Sequence, residues 1–338
     1  MTHGDGDLPI DTKHELASVR GVESVGERDT TDGTVVVVRV REGAQPDLGA
    51  IPDTAAGHPV EVKWTRGVDM LMHERRSLPH PDASALNARE VRPLVGGVSV
   101  GSAKKDTAGT LCIPFEDDEG NLYISSNRHV LGQPGETSVQ PGVIDGGCTP
   151  DFTVGSVAAS AETVTVDGTE YHIDFALAGL AEGVTVEQSV NAVGEVTGWR
   201  DPQVGDRVQK SGRTTGVTDG QVTERNVTVS LEGSFIDNQV FVSTPTEAGD
   251  SGSPVISSSG DFVGIIWGST EADAVMNPAG AVVAYAREAL NAEPMGLSRS
   301  EAGDGTPSSG AEPRGLDPKV ALSLAALAGF GVVRATQG

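Results

Sequence analysis

The sequence predicts an all-β core preceded by a small α/β segment. From Leu94 onward, short β-rich runs alternate with turns rich in Gly, Asp and Asn. Such spacing is typical of a sandwich or barrel rather than of βαβ units. Before Leu94 the chain contains one helical run and two strand-like runs, and a single helix is predicted after the last strand run. These changes of texture divide the chain at about residues 90 and 295.

Residues 1–90 are predicted to form a small α/β domain followed by a linker. DTKHELASV is predicted to be a helix, and TVVVVRVRE and HPVEVKW are predicted strands, which together favour a separately folded unit of the split βαβ kind. From about Arg66 to Arg92 the chain loses this periodicity and gathers charge, Pro and His. We expect that stretch to be a linker.

Residues 91–295 carry the β-rich runs, and residues 296–338 form a predicted disordered linker and tail. The last run of the core, VVAYAREALNAE, is predicted to pass from a strand into a helix. The tail contains an apolar run of fourteen residues, Val320 to Val333, interrupted only by Ser323. Since a membrane-spanning helix needs about 20 residues, we expect a docking or partner-binding tail, with a membrane anchor as the alternative.

The charge of the chain excludes several classes of partner. The formal net charge is −24, with 48 acidic residues against 24 basic ones. Nucleic acids and anionic membranes require clustered cations, so neither is an expected partner. The acidic residues are spread through every segment, which indicates a solvated surface of the kind found in salt-accumulating organisms, where screening weakens self-repulsion.

Cysteine usage argues against a disulfide framework and against a metal site. Cys112 and Cys148 are the only cysteines, so at most one bridge can form and no paired-Cys zinc spacing exists. We expect neither a metal nor another cofactor. The N-terminal stretch MTHGDGDLPIDTKHE has no basic region followed by an apolar one, and we therefore expect a cytoplasmic protein, with association through the C-terminal tail as the alternative.

The stretch TEAGDSGSPV, Thr246 to Val255, contains a candidate nucleophile. Gly, Asp and Ser are ordinary turn residues, so this stretch alone predicts only a loop. A serine in such a loop becomes a nucleophile when a histidine can take its hydroxyl proton and a carboxylate can orient that histidine. Ser251 is therefore a candidate whose partners must come from elsewhere in the chain.

Two residues in the first half of the β-rich region supply those partners. His129 follows a strand run at a polar loop, and Asp174 is a single acid entering the apolar run FALAGL. A buried carboxylate is costly unless it is paired, so Asp174 requires a partner such as an imidazole N–H. His172 competes for the role of base, but its position inside a strand favours packing.

The order His129, Asp174, Ser251 resembles that of the chymotrypsin/trypsin-like serine protease family. GDSGSP is similar to the GDSGGP nucleophile loop of that family, NRHVL to its base loop and IDFAL to its orienting-acid strand. KSGRTTG and GIIWG are similar to the bacterial α-lytic and streptogrisin-like branch. The chain is also similar to trypsin-like proteins of the plant Narrow Leaf type. The resemblance covers about Leu94 to Glu293.

This resemblance implies two antiparallel six-stranded β-barrels with a site in the cleft between them. It implies that Ser251 attacks a polypeptide carbonyl, that His129 takes the proton and that Asp174 fixes the imidazole, with an acyl-enzyme intermediate. The N–H groups of Gly249 and Ser251 would form the oxyanion hole. The segment implied to bind the substrate backbone consists of Ile266, Trp267, Gly268 and Ser269.

Two other classes of function stay open. A catalytically silent peptide-binding module would keep the fold without turnover. An esterase of the α/β-hydrolase type would need a Gly-x-Ser-x-Gly elbow with the histidine last in the chain, whereas here the histidine comes first. Side-chain specificity and oligomeric state are not predicted. The chain departs from the family in lacking disulfide cysteines near His129 and Ser251 and in having Ser253 for a glycine.

The N-terminal segment also resembles an arrangement in the family, since secreted relatives carry removable pro-segments ahead of the protease domain. The absence of a recognisable signal peptide changes the expectation. We expect residues 1–90 to be a permanent accessory domain that assists folding or regulates access, with a cleavable chaperone as the alternative. Removal would leave a chain beginning near Val91 to Gly96.

Overall fold

Two large β-sheets carry most of the structure. The computed structural model describes residues 7–71, 73–74, 87–231 and 233–300. The predicted C-terminal tail beyond residue 300 therefore lies outside the described residues, as does the stretch 75–86 of the predicted linker.

The N-terminal segment is an α/β unit in which the helix comes first. Its elements are α1 (Ile10–Ala17), β1 (Val22–Thr30), β2 (Gly33–Arg41), β3 (Thr54–Ala55), β4 (His58–Thr65), β5 (Asp69–Met70) and β6 (His73–Glu74). β1 and β2 form a hairpin, and β2 pairs in parallel with β4. The crossover between these parallel strands carries a 3-10 turn and β3, so the unit differs from the predicted split βαβ arrangement. β1 was not predicted because its sequence, VESVGERDT, is mostly polar.

The first barrel is built from strands that surround one apolar interior. Its elements are β7 (Leu94–Gly96), β8 (Ser99–Ser102), β9 (Thr107–Thr110), β10 (Phe115–Asp117), β11 (Leu122–Ser126), α2 (Arg128–Leu131), β12 (Thr137–Val139), β13 (Thr153–Val166) and β14 (Thr169–Leu180). The strand order is β10-β11-β14-β13-β12-β8-β9. β9 pairs with β8 and β10 pairs with β11, and these two strands are consecutive in the chain. Side chains such as Val100, Ile124 and Ala176 fill the interior.

The second barrel closes through hydrogen-bonded strand pairs. The remaining elements are β15 (Val186–Val190), β16 (Gly194–Glu195), β17 (Gly198–Trp199), β18 (Arg207–Gly212), β19 (Gly216–Leu231), β20 (Ser234–Val242), β21 (Pro254–Ser257), β22 (Asp261–Ser269), β23 (Ala274–Pro278), α3 (Ala279–Leu290) and β24 (Ala292–Pro294). The order β18-β21-β22-β23-β20-β19 returns to β18, so six strands form a ring. This confirms the predicted all-β core.

The helix α3 covers residues that were expected to begin in a strand. Val282, Val283 and Ala286 are fully buried and pack, with Phe262 and Ile265 of β22, in the apolar cluster outside the second barrel. Three apolar side chains at this spacing lie on one face of a helix, so the segment buries its apolar residues as a helix rather than as a strand. β22 is consequently buried along almost its whole length.

The N-terminal sheet continues into the second barrel through the pairing of β1 with β19. Arg39 of β2 is buried at this junction, where its guanidinium contacts the carboxylate of Glu224 and lies 2.9 Å from that of Asp273. Arg225 bonds Asp7 at 2.6 Å and Asp29 at 3.0 Å. The domain boundary at residue 90 stays a prediction, but the N-terminal segment and the second barrel share one sheet.

Both cysteines are free thiols. Cys112 is buried, and its burial raises the thiol pKa to about 12. Cys148 is exposed. Among the described residues, no helix is both long and apolar enough to cross a membrane.

Candidate active site

His129 and Asp174 meet at the edge of the first barrel. α2 follows directly on β11 and carries His129, while β14 carries Asp174. The imidazole Nδ1 contacts Asp174 Oδ2, and the backbone N–H of His129 donates to Oδ1 at 3.0 Å. Because a carboxylate can only accept, Nδ1 carries the hydrogen and Nε2 presents a lone pair. The pair predicted from the sequence is therefore formed.

The carboxyl of Asp174 is held in its ionised form. Burial alone would raise its pKa, but the electrostatic interaction with His129 and the hydrogen bonds from the ring and from the N–H groups of His129 and Arg128 outweigh burial and lower the pKa. The Asp174 N–H donates to Asn277 Oδ1 at 3.0 Å, and the Asn127 amide donates to the Asp174 carbonyl at 2.7 Å. Asn277 belongs to β23, so this contact also ties the two barrels together.

His172 does not take the place of His129. Its Nδ1 accepts the Asp237 N–H at 3.0 Å, and its carbonyl accepts the Gln239 side-chain amide at 2.7 Å. The ring faces Asp237, which His14 of α1 also contacts, at 2.9 Å. His172 thus links the first barrel to β20, as its position inside a strand indicated.

Ser251 lies on a tight loop that two glycines make possible. Gly249 has φ +101° and Gly252 has φ +94°, both in the left-handed region that side chains disfavour. A Cβ at Gly252 would also lie 1.9 Å from the Thr110 carbonyl. Thr110 fixes the loop further, because its N–H donates to the Ser251 carbonyl at 2.7 Å and its hydroxyl to the Gly249 carbonyl at 2.8 Å.

A buried ion pair, missed by the sequence reasoning, holds this loop from behind. Asp250 and Lys210 are both fully buried, and Nζ lies 3.1 Å from Asp250 Oδ2. The same carboxylate accepts the N–H groups of Thr214 at 2.9 Å and Thr215 at 3.1 Å. Burial lowers the Lys210 pKa, and Asp250 opposes that shift without cancelling it. The signal was present in KSGRTTG, whose lysine stands alone in a buried strand.

The Ser251 hydroxyl is engaged by carbonyl groups and not by the imidazole. Its Oγ lies 3.0 Å from the Leu71 carbonyl oxygen and 3.2 Å from that of Trp267. The buried Nε2 of His129 has no hydrogen-bond partner among the described residues. The predicted contact between Ser251 and His129 is therefore not formed while Leu71 occupies the site.

Leu71 directly follows β5, a strand of the N-terminal segment that lies in the cleft. Met70 pairs with Gly268 and Asp69 with Ser269 in antiparallel fashion, and the Leu71 N–H donates to the Trp267 carbonyl at 3.4 Å. The Leu71 carbonyl accepts the Gly249 N–H at 3.1 Å. The residues Trp267 to Ser269, predicted to bind a peptide backbone, thus bind one here. This strand was not predicted, because it lies in the stretch that was expected to be a linker.

Ile266, the fourth residue of the predicted binding segment, has a different role. Its N–H donates to the Ser253 carbonyl at 3.0 Å, and its carbonyl accepts the Gly252 N–H at 2.8 Å. It therefore ties β22 to the loop of Ser251 and does not pair with the strand in the cleft.

A cavity of about 260 Å³ opens beside the His129–Asp174 pair. Its walls include Met70, His172, Ile173, Trp267 and Asn277. Over the residues that the structure describes, no group of three or more His, Cys, Asp or Glu side chains is arranged to hold a metal ion.

Two barrels with a His–Asp pair on one and a glycine-flanked serine on the other define a peptidase fold of the trypsin type. Residues 112–265 match the family described as the trypsin-like peptidase domain. This match to the trypsin-like peptidase domain confirms the resemblance found in the motifs of the chain.

Solved structures similar to this chain are bacterial proteases. Thermobifida fusca Protease A is 20% identical, with a TM-score of 0.44, and the match covers 56% of this chain and 94% of that one. Nocardiopsis Protease is 20% identical, with a TM-score of 0.44 and coverage of 59% and 97%. Cellulomonas bogoriensis chymotrypsin is 20% identical, with a TM-score of 0.43 and coverage of 60% and 97%. No curated protein sequence matches the chain significantly.

Proposed function

We propose that the protein is a serine endopeptidase that hydrolyses polypeptides through Ser251, His129 and Asp174. The observation that carries the proposal is the Leu71 carbonyl, whose oxygen lies 3.1 Å from the Gly249 nitrogen and 3.0 Å from Ser251 Oγ. This places a peptide carbonyl beside both an oxyanion donor and the hydroxyl of the proposed nucleophile, which supports acyl transfer at this site.

In this mechanism Ser251 Oγ turns from the carbonyl oxygens toward His129 Nε2 and attacks the carbonyl carbon. His129 takes the hydroxyl proton and then gives it to the leaving amine, while Asp174 stabilises the imidazolium. The Gly249 and Ser251 N–H groups stabilise the oxyanion, each contributing on the order of 3 kcal/mol. Water then hydrolyses the acyl-enzyme and regenerates the hydroxyl.

The polypeptide substrate would bind as an added strand on β22. Gly268 and Ser269 already pair with a backbone in this way, and main-chain hydrogen bonds of that kind give affinity without sequence preference. The alternative, a peptide-binding module without turnover, draws support from the Ser251 hydroxyl, which bonds carbonyl groups and not the imidazole.

Labelling with a fluorophosphonate probe separates these two functions. We expect one covalent adduct, located on Ser251 by mass spectrometry, together with hydrolysis of a peptide ester. Ser251→Ala should abolish both, and His129→Ala should remove nearly all hydrolysis. The matched control is Ser258→Ala, the same change at an exposed serine of the β21–β22 turn. Equal hydrolysis by the wild type and Ser251→Ala, or an adduct on another residue, would exclude the assignment.

A further inference from the structure

We propose that Gln239 is a positioning residue, which joins the strand that binds the substrate backbone to the acid that orients His129. The proposal rests on the peptidase activity proposed above. Gln239 lies on β20 of the second barrel. It acts through Trp267 of β22 on one side and, on the other, through Asn277 of β23 and the backbone of Asp174.

Asp174 lies outside the regular ladder of the first barrel. The pairing of β13 with β14 shifts register there, so that two residues of β14, Ile173 and Asp174, stand opposite Glu162 alone. A bulge of this kind leaves backbone groups without ladder partners and re-aims the side chain. Asparagine side chains replace the ladder: Asn277 Oδ1 accepts the Asp174 N–H at 3.0 Å, and Asn127 Nδ2 donates to the Asp174 carbonyl at 2.7 Å. The position of the acid therefore depends on where Asn277 is held.

Gln239 holds Asn277 through an amide whose hydrogen-bonding positions are all filled. Its Oε1 accepts Asn277 Nδ2 at 2.8 Å and Trp267 Nε1 at 2.7 Å. Its Nε2 donates to the carbonyls of His172 at 2.7 Å and Asp237 at 2.8 Å. Because an indole N–H can only donate and a carbonyl can only accept, the amide of Gln239 has a single orientation that satisfies all four contacts.

The three side chains of this network are removed from water. Gln239 is fully buried, and Asn277 and Trp267 are 1% and 3% exposed. A buried polar group that loses its partner has no water to replace it, so a hydrogen bond here is costly to leave unmade. A change at one of the three side chains therefore forces the others to move or to stay unpaired. The network is a rigid link rather than a set of independent contacts.

Trp267 carries one end of this link to the reacting centre. Its carbonyl oxygen lies 3.2 Å from Ser251 Oγ and accepts the Leu71 N–H at 3.4 Å. Its side chain lines the cavity of about 260 Å³ that His129 and Asp174 also line. Trp267 is thus engaged by the strand in the cleft at its backbone and by Gln239 at its indole.

A second bulge brings Gln239 to the junction of the barrels. In the ladder of β20 with β19, Asp237 and Asn238 stand opposite Thr228 alone. Asn238 has φ +61°, the left-handed region that asparagine tolerates. The Asp237 N–H, freed from the ladder, donates to His172 Nδ1 at 3.0 Å. The bulges of β14 and β20 are therefore joined by hydrogen bonds, and Gln239 follows directly on the second bulge.

The link sets how the two halves of the site face each other. Ser251 and β22 belong to the second barrel, whereas His129 and Asp174 belong to the first. Proton transfer requires Nε2 of His129 within hydrogen-bond reach of Ser251 Oγ, and a misplacement of about 1 Å costs about 100-fold in rate. Loss of Gln239 should therefore lower kcat more than it raises KM, because a peptide still pairs with β22.

The test is a double-mutant cycle that measures kcat on a saturating peptide ester. Gln239→Met and Asn277→Leu each remove one amide with little change in volume. We expect each variant to lower kcat by about 10- to 100-fold. The double variant should lose no more than the worse single variant, because residues that act as one unit are not additive. Saturating substrate fills the cleft in every molecule, so kcat does not depend on how often β5 leaves it.

Two further variants supply a mild change and a control. Trp267→Phe keeps the aromatic ring and deletes only the indole N–H, so kcat should fall by about 2- to 10-fold, which corresponds to one neutral hydrogen bond. Gln209→Met, the same change at an exposed glutamine of β18, should match the wild type. Circular dichroism verifies that each variant folds.

A spectroscopic measurement reports the link without any need for activity. The indole N–H resonance of Trp267 is identified by its absence from the nitrogen-15 spectrum of Trp267→Phe. We expect Asn277→Leu to shift this resonance through Gln239 and Gln209→Met to leave it in place. If Gln239→Met fails to fold, Trp267→Phe and this resonance decide: an unchanged kcat in the first together with an unshifted signal in Asn277→Leu would overturn the proposal.

The outcomes separate the two proposals. A double variant whose kcat falls by the product of the two single losses, or a folded Gln239→Met protein with unchanged kcat, would overturn the positioning role and leave the peptidase function standing. A wild-type protein that neither hydrolyses the ester nor labels at Ser251 would instead remove the peptidase function, and with it the catalytic role of Gln239, even where the indole resonance shows that the link exists.

Discussion

Lys210 and Asp250 show how a residue outside the cleft can control the nucleophile loop. Removing one partner of a buried ion pair leaves the other charge unpaired, at a cost of about 3–5 kcal/mol. Lys210→Met should lower the free energy of unfolding by about that amount, and it should lower kcat more than it raises KM, because Asp250 positions the Gly249 N–H. Urea unfolding and ester hydrolysis measure the two effects.

Lys104→Met is the control for this prediction, since Lys104 is exposed and its loss should change stability by no more than about 0.5 kcal/mol. Lys210→Arg retains the positive charge and should recover part of the activity. A fully active and fully stable Lys210→Met protein would contradict the role given to the pair.

Asp174→Asn should reduce kcat by about 10⁴-fold, because the amide favours the wrong imidazole tautomer. It should also change the response to acid. The pKa of Asp174 is lower in the folded protein, so its ionised form stabilises the fold above the unfolded value of about 3.9, and that stabilisation is lost as the pH falls through the folded value.

The stability of Asp174→Asn should therefore differ from that of the wild type at pH 7, and the difference should shrink below about pH 4. Thermal unfolding across this range measures it. Asp151→Asn, at an exposed turn, serves as the control and should track the wild type throughout. A constant difference between pH 7 and pH 3 would argue against the low pKa.

At the residue scale, local chemistry made His129, Asp174, Ser251 and Gly249 predictable. Each stands out in a short window: an acid entering an apolar strand, a histidine at a strand end, a serine between glycines. The residues around Leu71 contain no such local signal, because the role of Leu71 depends on the pairing of the adjacent strand with β22, nearly 200 residues away in the chain. The roles of Lys210 and Asp250 likewise depend on the buried ion pair that they form in the folded protein, which short sequence windows do not show.

At the scale of elements, short β-rich runs predicted β2 and β4 and many strands of the two barrels, among them β11, β14 and β22, but not β12, β13 or β23. Prediction failed where burial came from a distant partner. β1 is mostly polar and is held in the sheet by its pairing with β19. The first residues of α3 were expected to form a strand, but one face of the helix packs against β22. Short windows contain no information about such neighbours.

The junction of β2 with the second barrel depends on Arg39. Arg39→Met should destabilise the protein by about 3–5 kcal/mol, because the buried carboxylates of Glu224 and Asp273 would lose the guanidinium that pairs with them. Hydrogen exchange should rise first in β1 and β2. Arg41→Met is the matched control on the same strand: its side chain is 52% exposed, and its bond to Glu23 contributes at most about 1 kcal/mol. Equal effects of the two substitutions would contradict this prediction.

For the whole molecule, the net charge of −24 should make stability depend on salt. The screening length falls from about 10 Å at 0.1 M to about 3 Å at 1 M, which weakens repulsion among the surface carboxylates. The unfolding midpoint should therefore rise between 0.1 and 1 M KCl at pH 7. Near pH 4.5, close to the isoelectric point, the rise should be much smaller. A midpoint that falls with salt at pH 7 would contradict the inference of an acidic, salt-adapted surface.

β5 and the adjoining Leu71 belong to the same molecule as the cleft that they fill, so dilution cannot separate strand and cleft. An incoming ligand encounters a vacant cleft only in the fraction of molecules whose strand has departed, and its apparent dissociation constant is the intrinsic one divided by that fraction. If one molecule in about a hundred is vacant, every cleft ligand binds about a hundredfold more weakly than its own contacts would allow. A weak apparent affinity of an inhibitor for this protein would therefore reflect the fraction of molecules whose cleft is filled by their own strand, as well as the intrinsic affinity of the inhibitor.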